Sequence, residues 1–196
     1  MNVEQIESLG PELAGFLEEF ADCFGRSEPR CHMAHYIRGQ LSELPRKSVE
    51  PMALGAGLVP RTLQEFLRTD VWDDSRMRGL LQQIIVRDHA DPESIGILDD
   101  SGHPKKGRHT ACVNRQYCGR TGKIDNCVIT VHLTFSSFDT AFRTMVDSTP
   151  YLPQCWDEDR QRCRKAGIPD EVVYRPKYDI ALEQLDRAAT NGLSFH

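Results

Sequence analysis

Residues 95–100 read Ile-Gly-Ile-Leu-Asp-Asp, a short apolar run that ends in two carboxylates. A run of this kind is typical of a strand in the interior of a sheet. The clearest strand of the chain is residues 127–133, Cys-Val-Ile-Thr-Val-His-Leu, and residues 109–117 can pair back between the two. We therefore predict a three-stranded meander whose first strand presents Asp99 and Asp100 at its end.

The chain before residue 90 carries apolar residues at helical spacing instead. One amphipathic helix is predicted from its apolar face, which holds Leu13, Phe16, Leu17, Phe20 and Phe24. Four more helices are predicted: over residues 27–41 with Ser27 as N-cap, from Ser48, from Pro60, and over about residues 73–87.

The helices that begin at Ser48 and Pro60 are separated by a short glycine-containing turn. Helix, turn and helix in this order form the outline of a helix-turn-helix, which would leave Arg61 and Arg68 exposed to DNA. An ordinary helical bundle with solvated arginines explains the same pattern. Both interpretations stay open.

The second half of the chain mixes strands and helices. Residues 138–176 contain four prolines and are predicted to be irregular, apart from a charged helical segment at 157–165. A helix is predicted over residues 178–189, ended by an Asn-Gly pair, and residues 193–196 would begin a strand. We therefore predict an α+β fold, with a helical region at 1–90, which contacts DNA in the helix-turn-helix interpretation, and a mixed domain of strands and helices at 91–196.

Positive charge is concentrated in one segment of the chain. The net charge of the 196 residues is −5, which gives no overall sign of nucleic-acid binding. Residues 101–124 nevertheless hold six basic residues and neither Asp nor Glu: Lys105, Lys106, Arg108, Arg115, Arg120 and Lys123. Such a segment can lie along a phosphate backbone.

Several other classes of site are disfavoured. The seven cysteines include no C-x-x-C pair, so most are predicted to be buried thiols. Neither a metal site among the cysteines and histidines of residues 23–35 nor a nucleophilic thiol near His109 has a convincing set of partners. No nucleotide-binding fingerprint occurs. Without a signal-like start or an apolar run of membrane-spanning length, the protein is expected in the cytoplasm, with no membrane partner.

The two carboxylates after the first strand suit metal chemistry. Carboxylate oxygens are ligands that Mg²⁺ and Mn²⁺ prefer, and a pair of such ions can drive phosphodiester displacement when several carboxylates hold them. The alternative is structural, because Asp-Asp-Ser-Gly is also a good turn sequence. The neighbouring basic segment favours the metal-site interpretation.

Three segments carry a specific resemblance. Residues 96–107 (GILDDSGHPKKG), 115–119 (RQYCG) and 122–127 (GKIDNC) resemble the start of the catalytic domain in insertion-sequence transposases of the DDE superfamily. Shorter segments are also similar to that family: residues 46–53, 60–64, 151–153 and 162–169.

The resemblance implies a ribonuclease-H-like catalytic domain. It identifies Asp100 as the first acid of the DDE triad and as a ligand of Mg²⁺ or Mn²⁺, with Asp99 as the second choice. It also implies nicking of transposon ends by water and attack of the freed 3′-hydroxyl on target DNA, so that double-stranded DNA is the partner. The residues expected to contact DNA are Lys105, Lys106, Arg108, Arg115, Lys123 and Arg61.

The family pattern places the second Asp after the next strand and the Glu much farther on, so neither can be assigned within these 196 residues. The domain is therefore expected to be incomplete here, and the isolated chain is expected to lack strand-transfer activity. The alternatives are a catalytically inactive fragment that binds DNA or competes with full-length transposase, pairing with itself or with that protein, and a decayed gene remnant.

Overall fold

The computed structural model describes the backbone of residues 3–196 and the side chains of residues 8–196. It combines helices with an antiparallel sheet, which confirms the α+β class. The chain divides into two compact units between Leu80 and Leu81. In the part described, no helix is long and apolar enough to cross a membrane.

The first unit is helical. Its elements are α1 (Val3–Glu18), a 3₁₀ turn (Ala21–Cys23), α2 (Ser27–Leu41), α3 (Val49–Gly55), α4 (Pro60–Thr69) and the start of α5 (Asp74–His89). The predicted first helix was too long, because α1 ends before the buried Phe20. Arg26, rather than Ser27, is the N-cap of α2, whereas Ser48 is the N-cap of α3.

The pair α3 and α4 encloses a small core. Met52, Ala53 and Leu63 are fully or almost fully buried there. The turn between the helices contains Gly57 with φ +71°, a left-handed conformation that favours glycine. This turn lets α4 fold back on α3 and buries the apolar side of each helix.

The second unit is built on one antiparallel sheet. Its strands are β1 (Ile95–Pro104), β2 (Asn114–Cys118), β3 (Lys123–Ser136) and β4 (Arg143–Pro150). Strand β3 is central, because β1 pairs along one edge and both β2 and β4 pair along the other. The predicted meander was therefore wrong in its order, since β2 does not pair between β1 and β3.

Two strand predictions also need correction. Strand β1 continues to Pro104, so Asp99 and Asp100 lie in its middle and not at its end. Strand β4 lies in the segment predicted to be irregular. A register shift between Leu133 and Thr134 places Val146 and Asp147, which are neighbours in the chain, both in the interior, and this removes the alternation by which a strand is recognised.

Helix α8 (Lys177–Thr190) packs on one face of this sheet. The core it forms with the end of α5 and the strands contains Ile85, Leu133, Phe135, Val146, Ala188 and Leu193. Two buried glutamine amides bind the sheet backbone: Gln82 Nε2 donates to Val146 O and Gln184 Nε2 donates to Val131 O, each at 3.0 Å. These bonds fix the helices against the strands.

A second core lies beside the loop that follows β1. The short helices α6 (Gln154–Asp157) and α7 (Arg160–Lys165) supply Trp156 and Cys163, both fully buried. The indole Nε1 of Trp156 donates to Val113 O at 2.7 Å. Five of the seven cysteines are buried, which confirms that most are buried thiols.

Asp91 holds the turn between β3 and β4. Its Oδ2 accepts hydrogen bonds from Ser137 Oγ at 2.6 Å and from the backbone nitrogens of Phe138 and Asp139 at 2.7 and 3.2 Å. Its Oδ1 accepts from the nitrogen of Glu93 at 2.9 Å. These donors, above all the Ser137 hydroxyl, lower the pKa of Asp91 to about 2, so the ionised carboxylate organises this end of the sheet.

Candidate functional site

The strand register separates the two acids of β1. Asp100 pairs with Val131, whereas Asp99 pairs with His132. Paired residues of an antiparallel ladder share a face, so Asp100 lies on the face of the sheet that α8 covers, and Asp99 lies on the opposite face. Only one of them can therefore belong to a site on the α8 side.

Asp100 is bound by the first residue of α8. Lys177 Nζ lies 2.7 Å from Asp100 Oδ2, and the two side chains are 41% and 38% exposed. The same ammonium lies 5.5 Å from the ring centre of Tyr151. A lysine at a helix N-terminus is opposed by the helix dipole, and the Asp100 carboxylate compensates for this. Asp100 is thus an ion-paired carboxylate that remains accessible to solvent.

Tyr151 forms the apolar side of this site. Its ring meets that of Tyr174 edge to face, with centroids 6.1 Å apart. Burial, with a smaller contribution from Tyr174, raises the pKa of Tyr151. The phenol therefore stays neutral and adds no negative charge beside Asp100.

Asp99 has a different environment. Its Oδ1 accepts a hydrogen bond from the backbone nitrogen of Asp100 at 2.7 Å. On its face of the sheet, burial and then the charge of His103 lower the pKa of His132, and the two aspartates oppose that shift. The geometry therefore assigns Asp99 to a neighbourhood of histidines rather than to the α8 side.

The basic loop after β1, residues 105–108, is held by its backbone. Asn126 Nδ2 donates to the carbonyl oxygens of both Lys105 and Gly107 at 2.8 Å. Arg162 donates to Arg108 O at 3.2 Å, and Gly107 has φ +93°. The side chains of Lys105, Lys106 and Arg108 are exposed, and no ion pair is found for them in the described part of the chain. A fixed backbone therefore presents three cations to solvent.

The remaining predicted DNA-contacting residues lie on two other elements. Arg115 and Lys123 are exposed on the β2–β3 hairpin, on opposite faces according to the register. Arg61 lies in the first unit, on α4, where its Nε donates to Glu65 Oε1 at 2.8 Å. The structure thus brings five of the six cations into one unit.

Sequence reasoning missed Lys177 and Asn126. The start of a helix after Pro176 was visible in the sequence, but nothing there indicates a partner at Asp100, 77 residues away. Asn126 binds the carbonyl oxygens of Lys105 and Gly107, which lie 21 and 19 positions before it in the chain. These bonds depend on the pairing of β1 with β3.

The described residues include no group of three or more His, Cys, Asp or Glu side chains that could hold a metal ion. Asp147, a second acid on the α8 face, is fully buried, and its Oδ2 lies 2.7 Å from Arg187 Nε. Asp100 therefore fits one ligand of a larger set. It does not form a complete metal site by itself.

The last residues begin to follow β1. His196 N donates to Ser94 O, and Ser94 Oγ donates to Ser194 O, both at 2.8 Å. The first is a backbone bond, whereas the second comes from the Ser94 side chain, because Ser94 N donates to Asp91 O at 3.1 Å. The Phe195 ring lies over Gly96, where an added Cβ would come within 2.9 Å of it. Residues 194–196 thus lie beside Ser94 and the start of β1.

Comparisons with known proteins identify the family of the chain. The protein named "Probable transposase for insertion sequence element IS701" from Microchaete diplosiphon is 37% identical over 94 residues, which are 47% of this chain and 25% of that relative. The match thus spans about a quarter of the curated relative. No solved structure matches the chain. The family model described as DDE superfamily endonuclease matches residues 19–196, and the chain therefore belongs to the DDE superfamily endonucleases.

Proposed function

We propose that this chain works in DNA transposition, as the part of a DDE endonuclease that supplies the first catalytic carboxylate and a DNA-binding surface. The observation that carries the proposal is the position of Asp100, a solvent-accessible carboxylate on the α8 face of β1. The same strand leads directly into the exposed cations of residues 105–108. A metal ligand on a strand and cations in the loop that follows it suit phosphodiester chemistry.

The topology supports a ribonuclease-H-like domain with its boundary near residue 91. Strands β4, β3 and β1 are antiparallel neighbours in that order, and α8 then leads the chain back to residues 194–196 beside the start of β1. If a longer chain continued parallel to β1 with Phe195 level with Ser94, the residue level with Asp100 would come about five positions after His196. A carboxylate there would point to the same face as Asp100 and could complete a site for Mg²⁺ or Mn²⁺, which would supply charge stabilisation for nicking and strand transfer.

The proposed ligand is double-stranded DNA, both the transposon ends and the target. With such a substrate, the protein would act in the bacterial cytoplasm. Helices α3 and α4 in the first unit support a further DNA contact, because they are joined by a tight turn with a left-handed glycine. Arg68 and Arg61 lie on the exposed side of α4. Arg61 would exchange its Glu65 partner for phosphate.

A catalytically inactive, DNA-binding role is the second candidate. It is favoured by the position of Asp100, which belongs to no group of three or more potential metal ligands among the described residues, beside a complete basic loop. In that role the chain would compete with full-length transposase for DNA or pair with it. DNA binding without any metal-dependent cleavage by the purified 196-residue chain is the expected result, and cleavage that Asp100→Asn abolishes would contradict it.

Replacing Lys105, Lys106 and Arg108 together with alanine should flatten the salt dependence of DNA binding. Each lost phosphate contact lowers the slope of log K against log salt by about 0.9, so we expect a decrease of roughly three units. Fluorescence anisotropy with a labelled duplex over a range of salt concentrations measures it.

The matched control removes three exposed arginines that are already paired with acids: Arg87, Arg164 and Arg175. It changes the net charge by the same amount and should leave the slope as it is in the wild type. An equal loss of slope in both variants would mean that only net charge matters, and it would remove the basic loop from the proposal.

Asp100, and not Asp99, should bind a divalent ion. A single carboxylate binds Mn²⁺ weakly, but the paramagnetic ion still broadens the NMR signals of nearby amides. We expect broadening around Asp100 and the start of α8 that disappears in Asp100→Asn and persists in Asp99→Asn. Lys177→Met should strengthen binding about two- to fivefold, because the ion then displaces no exposed ion pair.

The two asparagine variants remove the same charge from adjacent positions and control for each other. Broadening that depends on Asp99 would transfer the role of first ligand to that residue. Broadening that depends on neither acid would remove the metal-ligand part of the proposal while leaving DNA binding intact.

A further inference from the structure

The β2–β3 hairpin exposes an apolar pair. Tyr117 of β2 lies directly opposite Ile124 of β3, one step before the last pair of the hairpin. The two residues are 64% and 60% exposed. Cross-strand pairs usually place such side chains against a core. Here a ring and a branched aliphatic side chain stand side by side in solvent.

The face that carries this pair is cationic. Arg115 lies on it two residues before Tyr117, while Asp125 lies on the other face of the hairpin. Arg120 and Lys123 are exposed at the turn. Asn126, which also belongs to this face, holds the loop of Lys105–Arg108 by its backbone, so the three cations of that loop are attached to the hairpin. No acid lies among these groups on the pair's own face of the hairpin.

The hairpin is fixed to the sheet on its other face. Cys118 is fully buried, and a Cβ added at Gly102 of β1 would come within 2.6 Å of its sulfur. The turn is closed by hydrogen bonds from the nitrogens of Thr121 and Gly122 to Cys118 O, at 3.1 and 2.9 Å. Gln116 Nε2 also donates to Cys127 O at 3.2 Å. The Tyr117 ring therefore projects from a rigid support.

We infer that the Tyr117–Ile124 pair stacks on a DNA base that is unpaired or unstacked, while the surrounding cations bind the phosphates on either side. Aromatic rings bind exposed bases by stacking, and apolar side chains of DNA-bending proteins insert between base steps, in both cases beside cations that hold the backbone. The inference rests on the proposed function, because it adds a base-contacting element to the same DNA surface. It assigns the protein a preference for distorted DNA.

The test compares two labelled duplexes of the same sequence, one fully paired and one with a short central bubble. The wild type should bind the bubble more tightly. Tyr117→Ala should lose about tenfold in affinity for the bubble and less than about twofold for the paired duplex, since stacking on one base contributes on this scale. Tyr117→Phe keeps the ring and should keep the preference. Ile124→Ala should weaken it to a smaller extent.

Tyr178→Ala is the matched control, because Tyr178 is 68% exposed but belongs to α8 and not to the hairpin. It should bind both duplexes as the wild type does. A 2-aminopurine in the bubble gives an independent readout, since its fluorescence should be quenched by the wild type and Tyr117→Phe but not by Tyr117→Ala. Melting curves verify that each variant folds.

The outcomes separate this inference from the proposed function. Equal affinities of Tyr117→Ala and wild type for the bubble overturn the inference alone, as does an equal loss on both duplexes. The inference is also overturned if the wild type binds both duplexes equally and forms a dimer that is lost in Tyr117→Ala. The pair would then contact a second copy of the chain. A wild-type chain that binds neither duplex would remove the proposed function and this inference together.

Discussion

Trp156→Ala is expected to lower the free energy of unfolding by about 3–5 kcal/mol, the usual cost of removing a large buried aromatic side chain. Trp156 is fully buried, and its indole donates a 2.7 Å hydrogen bond to Val113 O. Cys163 Sγ in turn donates to Trp156 O at 3.1 Å, and the Arg162 guanidinium lies 3.7 Å above the ring. One side chain therefore joins α6, α7 and the loop before β2.

Urea unfolding followed by far-ultraviolet circular dichroism measures this effect without relying on the lost fluorophore. Trp156→Phe is the control, since it keeps most of the ring volume but leaves Val113 O without its donor, at a cost of about 1–3 kcal/mol. A Trp156→Ala variant within about 1 kcal/mol of the wild type would show that the cavity collapses.

The same substitution should also reach the basic loop. Arg162, which stacks on Trp156, donates to Arg108 O. We therefore expect faster amide hydrogen exchange around residues 105–108 in Trp156→Ala, because one anchor of that loop loses its support. Unchanged exchange there would mean that Asn126 alone fixes the loop.

Arg187→Ala is expected to cost about 3–5 kcal/mol, because it removes a charged partner from a buried carboxylate. Asp147 is fully buried, and Arg187 Nε lies 2.7 Å from its Oδ2. Coulombic attraction in this interior is screened far less than at the surface. Equilibrium unfolding of the variant at neutral pH measures the loss.

Two further variants sharpen this prediction. Arg175→Ala removes an exposed ion pair between Arg175, which precedes α8, and Glu183 of α8, and it should cost less than about 1 kcal/mol. The double variant Arg187→Met with Asp147→Leu removes both charges and should recover a large part of the stability, since isosteric apolar pairs often replace buried ion pairs without loss. If Arg187→Ala matches Arg175→Ala, the pair contributes no more than a surface contact.

The sequence predicted the helices better than the sheet. End signals such as proline and glycine, together with an apolar stripe in α4 and α8, located α2, α4 and α8 to within a residue or two. The predicted first strand ended at Asp99 and Asp100, whereas β1 continues to Pro104, because polar residues in an edge strand resemble a turn. The β-bulge opposite Leu133 hid β4 entirely.

The site was predictable in its residue type but not in its geometry. The acid pair and the neighbouring cations were visible in the sequence. The separation of Asp99 from Asp100 by face follows only from the register with β3, and no local pattern fixes that register. The Arg61–Glu65 pair, by contrast, has the spacing of four residues that a helix brings together, and it could have been expected from the sequence.

Strand β1 pairs with β3 on one side, and beyond Ser94 no described strand hydrogen-bonds to its other side. Ile95, Ile97 and Leu98 of this strand are 47%, 46% and 40% exposed. An open row of amides and carbonyls flanked by apolar side chains is a template for any extended chain that reaches it. We expect that two copies of the isolated 196-residue chain join along that row in concentrated solution, so handling at low concentration, or a short peptide that pairs with the row, should keep the molecules apart.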